Sequence, residues 1–525
     1  MSKKSPSQSL ASMICSTCAA FAVLVFSLAT AHAALFDVNV TDDGKDLNPG
    51  DGICDSNQLA GFQCTLRAGV EETNALAGDD ILRLGVGAIH ELLITEILVV
   101  NDPTGSLTVR GMSSILPAQI TIDYSELQQI IFSVNTHLEL ENILLRDADN
   151  EFDKAIDGGG TVNIINSVLL NNYIGIDGVS GTVSNTRFLN NAIAARAFGV
   201  TLDVTDSTFT DNDLAATTAF GGTLNLTRVL VQGTGTKDRR GDGSVENNGG
   251  TVRIVDSRII NNEHRGVGVN CAEGAGTVTF ITGSLIANNN SRLLNGAGIR
   301  VIGQASIPPC VSNVFVTNTT ISNNETWVTG AGIHIDGNGG SIVTLRNTTV
   351  ASNHANSDMI GAGLYGGLTA FNGGFLIMNS IVANNDHFQG GDFVPSDCWG
   401  VVDSEGYNLF FEPHADCLIQ AVTTGNIIGV DPELGLLSDN GGPTLTHPLS
   451  AGSPAIDSGN PGGCKADLDS MLPIVDENLT VDQRDFPRPV DGDNNGSVIC
   501  DMGAYEAATA DQPEMIFEDG FETGG

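Results

Sequence analysis

The chain has 525 residues, of which 62 are Asp or Glu and only 23 are Lys or Arg, so its formal net charge is −39. This excess of acid repels nucleic acid and excludes it as a partner. It also favours divalent cations over anionic ligands. Apolar residues make up 41% of the chain, which is enough for a folded core and argues against a disordered acidic polymer.

The first residues have the pattern of a secretory signal peptide. Lys3 and Lys4 precede an apolar run from about residue 14 to 31, and Ala33 ends a small-residue cleavage site. We therefore predict that residues 1–33 are removed on export. No later stretch is apolar and long enough to cross a bilayer as a helix, so no transmembrane segment is expected after cleavage.

Eight cysteines follow the signal peptide and form four pairs of sequence neighbours. An even number of cysteines in an exported chain indicates disulfides, although the sequence leaves their connectivity open. We predict neighbour pairing because each pair brackets one loop-like insertion. The predicted pairs are Cys54 with Cys64, Cys271 with Cys310, Cys398 with Cys417, and Cys464 with Cys500.

One short phrase returns between about residues 140 and 390: Asn or Asp, Ser or Thr, a variable residue, an apolar residue, and Asn a few places later. Copies are NSVLLNN from Asn166, NTRFLNN from Asn185, DSTFTDN from Asp206, DSRIINN from Asp256, NTTISNN from Asn318 and NSIVANN from Asn379. The first copies lie about 20 residues apart and later ones about 30. A short period with expandable gaps is typical of a solenoid.

The segments between these phrases alternate β-branched and apolar residues and are bounded by Gly and Asn, as in residues 161–165. Such segments predict short strands, and the period is too short for helical repeats. We therefore predict an all-β fold, a right-handed parallel β-helix with three strands per coil. The Asn pairs recur at one place in each coil, which predicts a left-handed turn and a ladder of side-chain amides.

The longer gaps between later copies indicate insertions, at residues 234–248, 270–277, 301–312 and 352–359. In repeat proteins, insertions cluster on one face, which is often the binding face. We therefore expect any ligand to bind along the side of the rod.

At Cys64 the sequence runs CTLRAGVEETN. This resembles the CSLREA motif that heads many secreted bacterial β-helix proteins, although Ala68 stands where the family has Glu. Leu66, Val70 and Thr73 fall on one face at helical spacing. The motif therefore predicts a short amphipathic helix that caps the first coil and hides its strand edges.

Three ordered phrases near the other end begin at Asp439, Asp482 and Cys500 (DNGGPTLTHPLSAGSPAIDSGNP, DQRDFPRPVDGD and CDMGAYE). Together they resemble the choice-of-anchor Q region. The repeats between the two ends resemble the pectate-lyase-like and polymorphic outer-membrane-protein groups. The resemblance implies a secreted protein, extracellular or on the outer surface of a Gram-negative-type bacterium. It names an architecture and not a reaction.

These observations divide the chain into five parts. The predicted parts are a signal peptide (1–33), an N-terminal cap with the CTLR motif (34–98), the right-handed parallel β-helix (99–430), a choice-of-anchor Q-like capping region (431–507), and a linker with a short acidic tail (508–525). The tail, IFEDGFETGG, resembles short terminal tails of secreted Gram-negative proteins. Whether it is a sorting signal stays open.

One loop has the residues of a calcium site. Asp491, Asp493 and Asn495 alternate along the chain before a glycine, as in the first half of an EF-hand loop. Position twelve would be Met502 instead of Glu, which excludes an EF-hand proper. We therefore predict that Asp501 or another segment completes the shell around Ca²⁺.

The sequence has no clear catalytic constellation. One basic cluster, residues 237–240, lies in an insertion beside acids, and no Gly-x-Ser-x-Gly nucleophile motif occurs. His264, His334, His354 and His387 have no metal-ligand spacing. We therefore predict a non-catalytic secreted or cell-surface protein that binds glycans or other cell-surface partners. The alternative is a polysaccharide lyase or glycoside hydrolase on the same scaffold. The ligand and the oligomeric state stay open.

Overall fold

The computed structural model describes residues 33–57, 63–85, 91–112, 118–122, 130–235, 243–271, 276–291, 295–304, 310–337, 340–356, 365–466 and 477–508. The predicted signal peptide before Ala33, the basic cluster at residues 237–240 and the acidic tail lie outside these ranges. The architecture is a right-handed parallel β-helix, as the repeats predict. Each coil adds one strand to sheet A, then one to sheet B, then one to sheet C.

The three long sheets pair successive coils in parallel. Sheet A contains β1 (Leu35–Asp37), β2 (Asp80–Leu84), β5 (Leu107–Gly111), β8 (His137–Glu141), β11 (Thr161–Ile165), β14 (Ser180–Ser184), β17 (Thr201–Thr205), β20 (Thr223–Thr227), β23 (Thr251–Val255), β26 (Thr277–Thr282), β30 (Ser312–Thr317), β34 (Ile342–Arg346), β38 (Gly374–Met378), β42 (Cys398–Glu405) and β44 (Cys417–Val422). Sheet B contains β3 (Glu91–Ile94), β6 (Ala118–Ile122), β9 (Ile143–Arg146), β12 (Val168–Leu170), β15 (Arg187–Leu189), β18 (Thr208–Thr210), β21 (Leu230–Gln232), β24 (Arg258–Ile260), β27 (Leu285–Ala287), β31 (Thr320–Ser322), β35 (Thr349–Ala351), β39 (Ile381–Ala383), β43 (Leu409–Phe410) and β45 (Ile427–Ile428).

Sheet C contains β4 (Leu98–Val100), β7 (Ile130–Val134), β10 (Lys154–Gly158), β13 (Ile174–Asp177), β16 (Ile193–Phe198), β19 (Leu214–Ala219), β22 (Val245–Asn248), β25 (Val267–Asn270), β29 (Ile299–Gly303), β33 (Ile333–Gly337) and β37 (Leu368–Phe371), and the start of β42 pairs with it. A small sheet D between B and C contains β28 (Asn290–Ser291), β32 (Glu325–Thr326), β36 (His354–Ala355), β40 (Asp386–Gln389) and β41 (Asp392–Pro395). The last strands, β46 (Lys465–Ala466) and β47 (Glu477–Asn478), form a hairpin. Because the first strand of each of the three long sheets begins before residue 99, the sheets begin inside the segment predicted to be the cap.

The core is the stack of side chains that point into the coils. Strands of sheet A alternate buried and half-buried residues, as in β11, where Val162 and Ile164 are buried. Like residues stack on like residues in successive coils: the rings of Phe188 and Phe209 lie 4.5 Å apart and parallel within 3°. This continuous apolar column is the main stabilising element of the rod.

The Ser or Thr of each repeated phrase forms a buried hydrogen-bonded ladder at the turn between sheets A and B. The backbone N–H of Ser167 donates to Oγ1 of Thr186 at 3.3 Å, and that of Thr186 donates to Oγ of Ser207 at 3.1 Å. The residue before each hydroxyl has a left-handed backbone, for example φ 52° at Asn166 and 47° at Asn185. The phrase is therefore the sequence of a turn that satisfies a buried polar group in the coil above.

The Asn pairs form a second ladder, at the turn that leaves sheet B, as the sequence predicts. The first Asn of a pair is left-handed, with φ 57° at Asn171 and 55° at Asn190. The second is buried and links coils: Nδ2 of Asn172 donates to Oδ1 of Asn191 at 3.0 Å, and Nδ2 of Asn191 donates to Oδ1 of Asn212 at 2.9 Å. The same chain of amides later joins Asn262, Asn289, Asn324, Asn353 and Asn385.

This second chain of amides ends on a carboxylate. Asp397 accepts hydrogen bonds from the backbone and side chain of Asn385 at 3.0 and 2.9 Å, and burial raises its pKa to about 6. A raised pKa means that the stability contributed by the protonated form is lost as pH rises through about 6. Asn at position 397 does not titrate, so Asp397→Asn removes this loss of stability. We therefore expect the difference in the free energy of unfolding, variant minus unmodified protein, to be about 2–3 kcal/mol larger at pH 8 than at pH 4. Urea denaturation at the two pH values measures this difference, and an equal effect of the substitution at both would refute it.

Helix α1 (Leu66–Ala75) lies where the CTLR motif predicts a helix. Thr65 is its N-cap, and Oγ1 of Thr65 accepts from the N–H of Ala68 at 2.9 Å. The apolar face of α1 packs on β2, where Gly69 lies against the side chain of Leu82. Arg67 donates to Asp43 at 2.7 Å and to the backbone of Glu96 and Ile97. The arginine of the motif therefore holds the cap on the first coil.

The described residues of the C-terminal region, 431–466 and 477–508, pack along the side of the rod. They cover the outer face of sheet B from about residue 283 onward. Oγ1 of Thr320 donates to Gln483 at 2.6 Å, and Oγ1 of Thr349 accepts from the N–H of Ala504 at 3.1 Å. The cover therefore spans several coils as well as lying near the end of the rod.

All four predicted cysteine pairs are disulfides, with Cα–Cα distances from 5.1 to 5.8 Å. Four disulfides fit an oxidising, extracellular compartment. Across the described ranges, no helix is long and apolar enough to span a membrane.

Candidate functional site

The outer face of sheet C carries one continuous row of residues, most of them polar or charged, that point away from the core. In coil order the row is Asp157, Asp177, Arg196, Thr217, Glu246, Gly268, Arg300, His334, Thr369 and Trp399. Three of the four predicted insertions adjoin strands of this sheet: residues 234–248 end with β22, residues 270–277 begin at the end of β25, and residues 301–312 begin within β29. The fourth, residues 352–359, contains β36 of sheet D. Sheet C is therefore the face on which polar chemistry and long connections meet.

A cleft of about 470 Å³ opens on this face in the N-terminal half of the rod. We call it the aromatic cleft; its lining residues are Ile130, Phe152, Lys154, Tyr173, Ile174, Ile193 and Arg196. A recess of about 250 Å³ adjoins it, lined by Asp149, Asn171, Asn172, Tyr173, Asn190, Ala192 and Asp213. Tyr173 belongs to both, so the two form a connected depression with one apolar and one polar part.

The floor of the aromatic cleft is a network of ion pairs. Nζ of Lys154 lies 3.0 Å from Asp157 and 2.7 Å from Asp177. The guanidinium of Arg196 makes two parallel hydrogen bonds to Asp177, at 2.7 and 2.6 Å. Burial alone would raise the pKa of Asp177, but Arg196 and Lys154 together lower it below its ordinary value. The two cations are therefore fixed and already paired with carboxylates.

Exposed phenylalanines stand at both ends of these strands. Phe152 is 56% exposed and its ring lies 5.9 Å from that of Tyr173, before the strands of sheet C begin. At the other end, Phe198 is the last residue of β16 and Phe220 directly follows β19; they are 43% and 62% exposed and their rings lie 4.6 Å apart. We call these two the phenylalanine pair. Clustered exposed aromatic rings indicate a binding surface, since single exposed apolar residues are scattered on ordinary surfaces.

Two of these phenylalanines have an unusual backbone. Phe152 has φ 80° and Phe220 has φ 52°, in a region that bulky residues rarely occupy. Phe220 follows Ala219, which pairs with Phe198 and Asn248, so its neighbours in the adjacent coils are Gly199 and Gly249, with φ 67° and 94°. A phenylalanine thus stands where the adjoining coils have glycine. Strained residues of this kind cluster at functional sites and cost about 1–3 kcal/mol each.

The C-terminal half of the same row contains buried and aromatic side chains. His334 is almost fully buried, and Nε2 of His334 lies 3.2 Å from Nδ2 of Asn295. Burial, followed by the charges of Arg300 and Arg265, lowers the pKa of His334 to about 3, so the imidazole is neutral. Trp399 stacks on Tyr365 at 4.9 Å.

A second polar row lies on sheet D. Glu325, His354 and Asp386 occupy the same position in successive coils, and Nδ1 of His354 lies 2.8 Å from Oδ1 of Asp386. The hydrogen bond to Asp386 raises the pKa of His354. Trp327 and Phe393, 50% and 57% exposed, lie near this row, with Phe393 6.1 Å from the ring of His354. This row was not predicted from the sequence, because the three residues lie about 30 positions apart.

Two acids of the predicted calcium loop lie close to a third acid from a distant segment. One carboxylate oxygen each from Asp457, Asp491 and Asp493 lies within 4.8 Å of the others, and all three are at least partly exposed. The N–H of Asn495 donates to Asp491 and Asp493, and Oδ1 of Asn495 accepts from Ser497, so the asparagine shapes the turn.

The other candidate ligand, Asp501, has a different position. Asp501 is buried outside the group, and Oδ1 of Asp501 accepts the N–H of Asp457 at 2.7 Å while Oδ2 accepts that of Ala507 at 2.5 Å. Because both oxygens are engaged with backbone, Asp501 holds Asp457 in place, and Asp457 is the third acid of the group.

No family model and no curated protein matches this chain. The resemblance of its two ends to the CSLREA and choice-of-anchor Q motifs therefore stays a prediction. Among solved structures, two weak similarities can be reported. A pectate lyase, Pel9A, is 12% identical with a TM-score of 0.32, over 91% of this chain and 98% of the lyase.

The second is the catalytic unit of the α-1,3-glucanase GH87 from Streptomyces thermodiastaticus strain HF3-3. It is 14% identical with a TM-score of 0.33, over 63% of this chain and 67% of the glucanase. At these values the activities of the two enzymes have no implication for the chemistry of this chain.

Proposed function

We propose that this protein is an extracellular β-helix that binds glycans on the outer face of sheet C without cleaving them. The observation that carries the proposal is the aromatic cleft with the phenylalanine pair: exposed rings at both ends of the strands enclose a floor of hydrogen-bonding groups. A sugar ring presents apolar C–H faces and hydroxyl edges, which suits stacking on aromatic faces above polar groups. The four disulfides and the excess of acidic residues are consistent with a soluble extracellular protein.

Removing a ring should weaken the binding. We expect Tyr173→Ala and Phe220→Ala each to reduce glycan affinity about tenfold, since burying an aromatic side chain against a ligand contributes about 1.5–3 kcal/mol. Titration calorimetry with the glycan found by array screening measures the change. Leu436→Ala is the control, because Leu436 is 88% exposed but lies in the C-terminal region, outside both candidate glycan sites. Unchanged affinity in both variants would show that these rings do not bind the glycan.

A second candidate function is glycan hydrolysis at sheet D. Glu325 and Asp386 flank His354 two coils apart, so their backbones are about 10 Å apart, and inverting hydrolases hold their carboxyl groups about 6.5–9.5 Å apart. Against this, Glu325 accepts amide hydrogen bonds from Asn290 and Asn356, and Asp386 pairs with His354. Both carboxylates are thus held as acceptors, whereas a hydrolase needs one that donates a proton. Release of new reducing ends that disappears in Asp386→Asn would favour hydrolysis.

We also propose a calcium site at Asp457, Asp491 and Asp493. Burial raises the pKa of Asp457, and the neighbouring charge of Asp493 raises it further. A divalent cation between these oxygens would relieve the repulsion, and Ca²⁺ takes such oxygen ligands. The backbone N–H groups of Gly492 and Asp493 already hold Asp457 at 3.1 and 3.2 Å.

Calcium should raise the melting temperature. A ligand that binds only the folded protein adds about 2.7 kcal/mol of stability at a hundredfold excess over its dissociation constant. We expect a higher melting temperature in millimolar Ca²⁺ than in chelator at matched ionic strength, measured by calorimetry. Asp493→Ala should shrink the difference, whereas the exposed acid Asp392 on sheet D, replaced by Ala, should not. The same curve in Ca²⁺ and in NaCl would mean that the loop is only a turn.

A further inference from the structure

The charges of the aromatic cleft define the class of glycan that it accepts. We propose, building on the proposed function, that the cleft selects an uncharged oligosaccharide and rejects uronic-acid chains. Recognition of a carboxylate by protein normally uses an Arg or Lys whose hydrogen bonds the ligand completes. In this cleft the basic side chains are Lys154 and Arg196.

Both cations are already paired with carboxylates of the protein. Arg196 already makes the bidentate contact to Asp177 that it would otherwise offer to a ligand carboxylate, and Lys154 bridges Asp157 and Asp177. Two cations and two carboxylates leave the floor with no net charge. Asp177 is 5% exposed on its side chain, so a ligand cannot displace it without burying an unpaired charge.

The protein as a whole is acidic, with a formal net charge of −39. A polyuronate would therefore approach an acidic protein and find paired cations, whereas sugar hydroxyl groups can donate to the exposed part of Asp157 and accept from the amide of Asn171 at the edge of the recess. The polar groups of the depression thus suit alcohols and not carboxylates.

The spacing of the rings indicates a ligand of several sugars. Ile193 pairs with Ile174, the residue after Tyr173, and Phe198 lies five residues further along the same strand, about 17 Å away. One sugar cannot contact both Tyr173 and the phenylalanine pair. Affinity should therefore rise with chain length until both groups of rings are covered.

The test compares matched oligomers by calorimetry at low ionic strength, with chelator and with calcium. The neutral probes are cellohexaose, laminarihexaose, mannohexaose, xylohexaose and chitohexaose with every amine acetylated, and the anionic probe is hexagalacturonate. We expect at least one neutral hexamer to bind, its monosaccharide not to bind, and hexagalacturonate to bind at least tenfold more weakly. Preference for hexagalacturonate would overturn this inference alone. Absence of binding by every probe would overturn it together with the proposed function.

Variants of the floor carboxylates test the role of charge independently of the aromatic rings. Asp177→Asn leaves Lys154 and Arg196 short of one carboxylate, so we expect affinity for hexagalacturonate to rise roughly tenfold, the strength of one charge-assisted hydrogen bond. Asp157→Asn makes the same change at a half-buried position and serves if the first variant does not fold. No gain of hexagalacturonate binding in a folded variant of either kind would contradict the assignment.

Discussion

Replacing Asn324 by leucine is expected to lower the free energy of unfolding by about 3–6 kcal/mol, because it interrupts the buried amide ladder in mid-rod. Nδ2 of Asn324 donates to the carbonyl of Ile286 at 3.0 Å and to Oδ1 of Asn353 at 2.9 Å. Oδ1 of Asn324 accepts from the backbone and side chain of Asn289 at 3.2 and 2.9 Å. Leucine has a similar volume but no polar atom, so buried donors and acceptors on both neighbouring coils lose their partner.

Urea unfolding followed by circular dichroism measures this loss. The matched control is Asn163→Thr, since Asn163 also links coils through its amide but lies on the solvent side of β11. There water replaces the lost bonds, and the expected change is under about 1 kcal/mol. Equal effects at the two positions would mean that the ladder contributes no more than ordinary surface hydrogen bonds.

Arg488→Met is expected to cost about 3–5 kcal/mol and to detach the C-terminal region from the rod. Nε of Arg488 donates to Glu506 at 2.9 Å, Nη1 to Oδ1 of Asn318 at 2.9 Å, and Nη2 to the carbonyls of Asp501 and Gly503. Both side chains of the ion pair are essentially inaccessible to water. Methionine would leave the carboxylate of Glu506 buried and unpaired.

The effect should depend on pH with a definite sign. Burial raises the pKa of Glu506 even with Arg488 in place, and removing the cation raises it further. The variant should therefore lose most stability at pH 8 and recover part of it in acid, where Glu506 is protonated.

Hydrogen exchange of residues 431–508 and of the rod locates the loss. Lys45→Met, which breaks the exposed pair with Glu96, should change little. Arg488→Met with Glu506→Gln should regain part of the stability. A loss spread evenly over the rod would contradict the idea that Arg488 fixes the cover on sheet B.

Local chemistry explains why the rod could be predicted from its sequence. The Asn pairs combine a residue that tolerates left-handed backbone with one that stacks by its amide, and Asn171 and Asn172 take these two roles. The CTLR helix and the neighbour disulfides depend on residues close in sequence. Contacts of this kind leave a pattern in a single chain.

The features that could not be predicted depend on distant residues. Asp457 joins Asp491 and Asp493 from more than thirty positions away, so the sequence could predict only that Asp501 or another segment completes the group. The position of the C-terminal region also depends on distant residues, since Thr320 contacts Gln483 and Thr349 contacts Ala504.

The aromatic cleft and the phenylalanine pair are only weakly visible in the sequence. Their rings come from Phe152, Tyr173, Phe198 and Phe220, which are about 20 residues apart, and only the coil register shows that they share a face. Phe220 at a turn position that is glycine in the adjacent coils is the one local sign of a function there.

The most direct test of the central claim is a glycan array run with and without Ca²⁺, paired with a reducing-end release assay on each glycan that binds. The account predicts binding of a neutral oligosaccharide that is lost in a Tyr173→Ala, Phe220→Ala double variant, with no new reducing ends over the same incubation. Release of reducing ends by the unmodified protein, or full binding by the double variant, would contradict it.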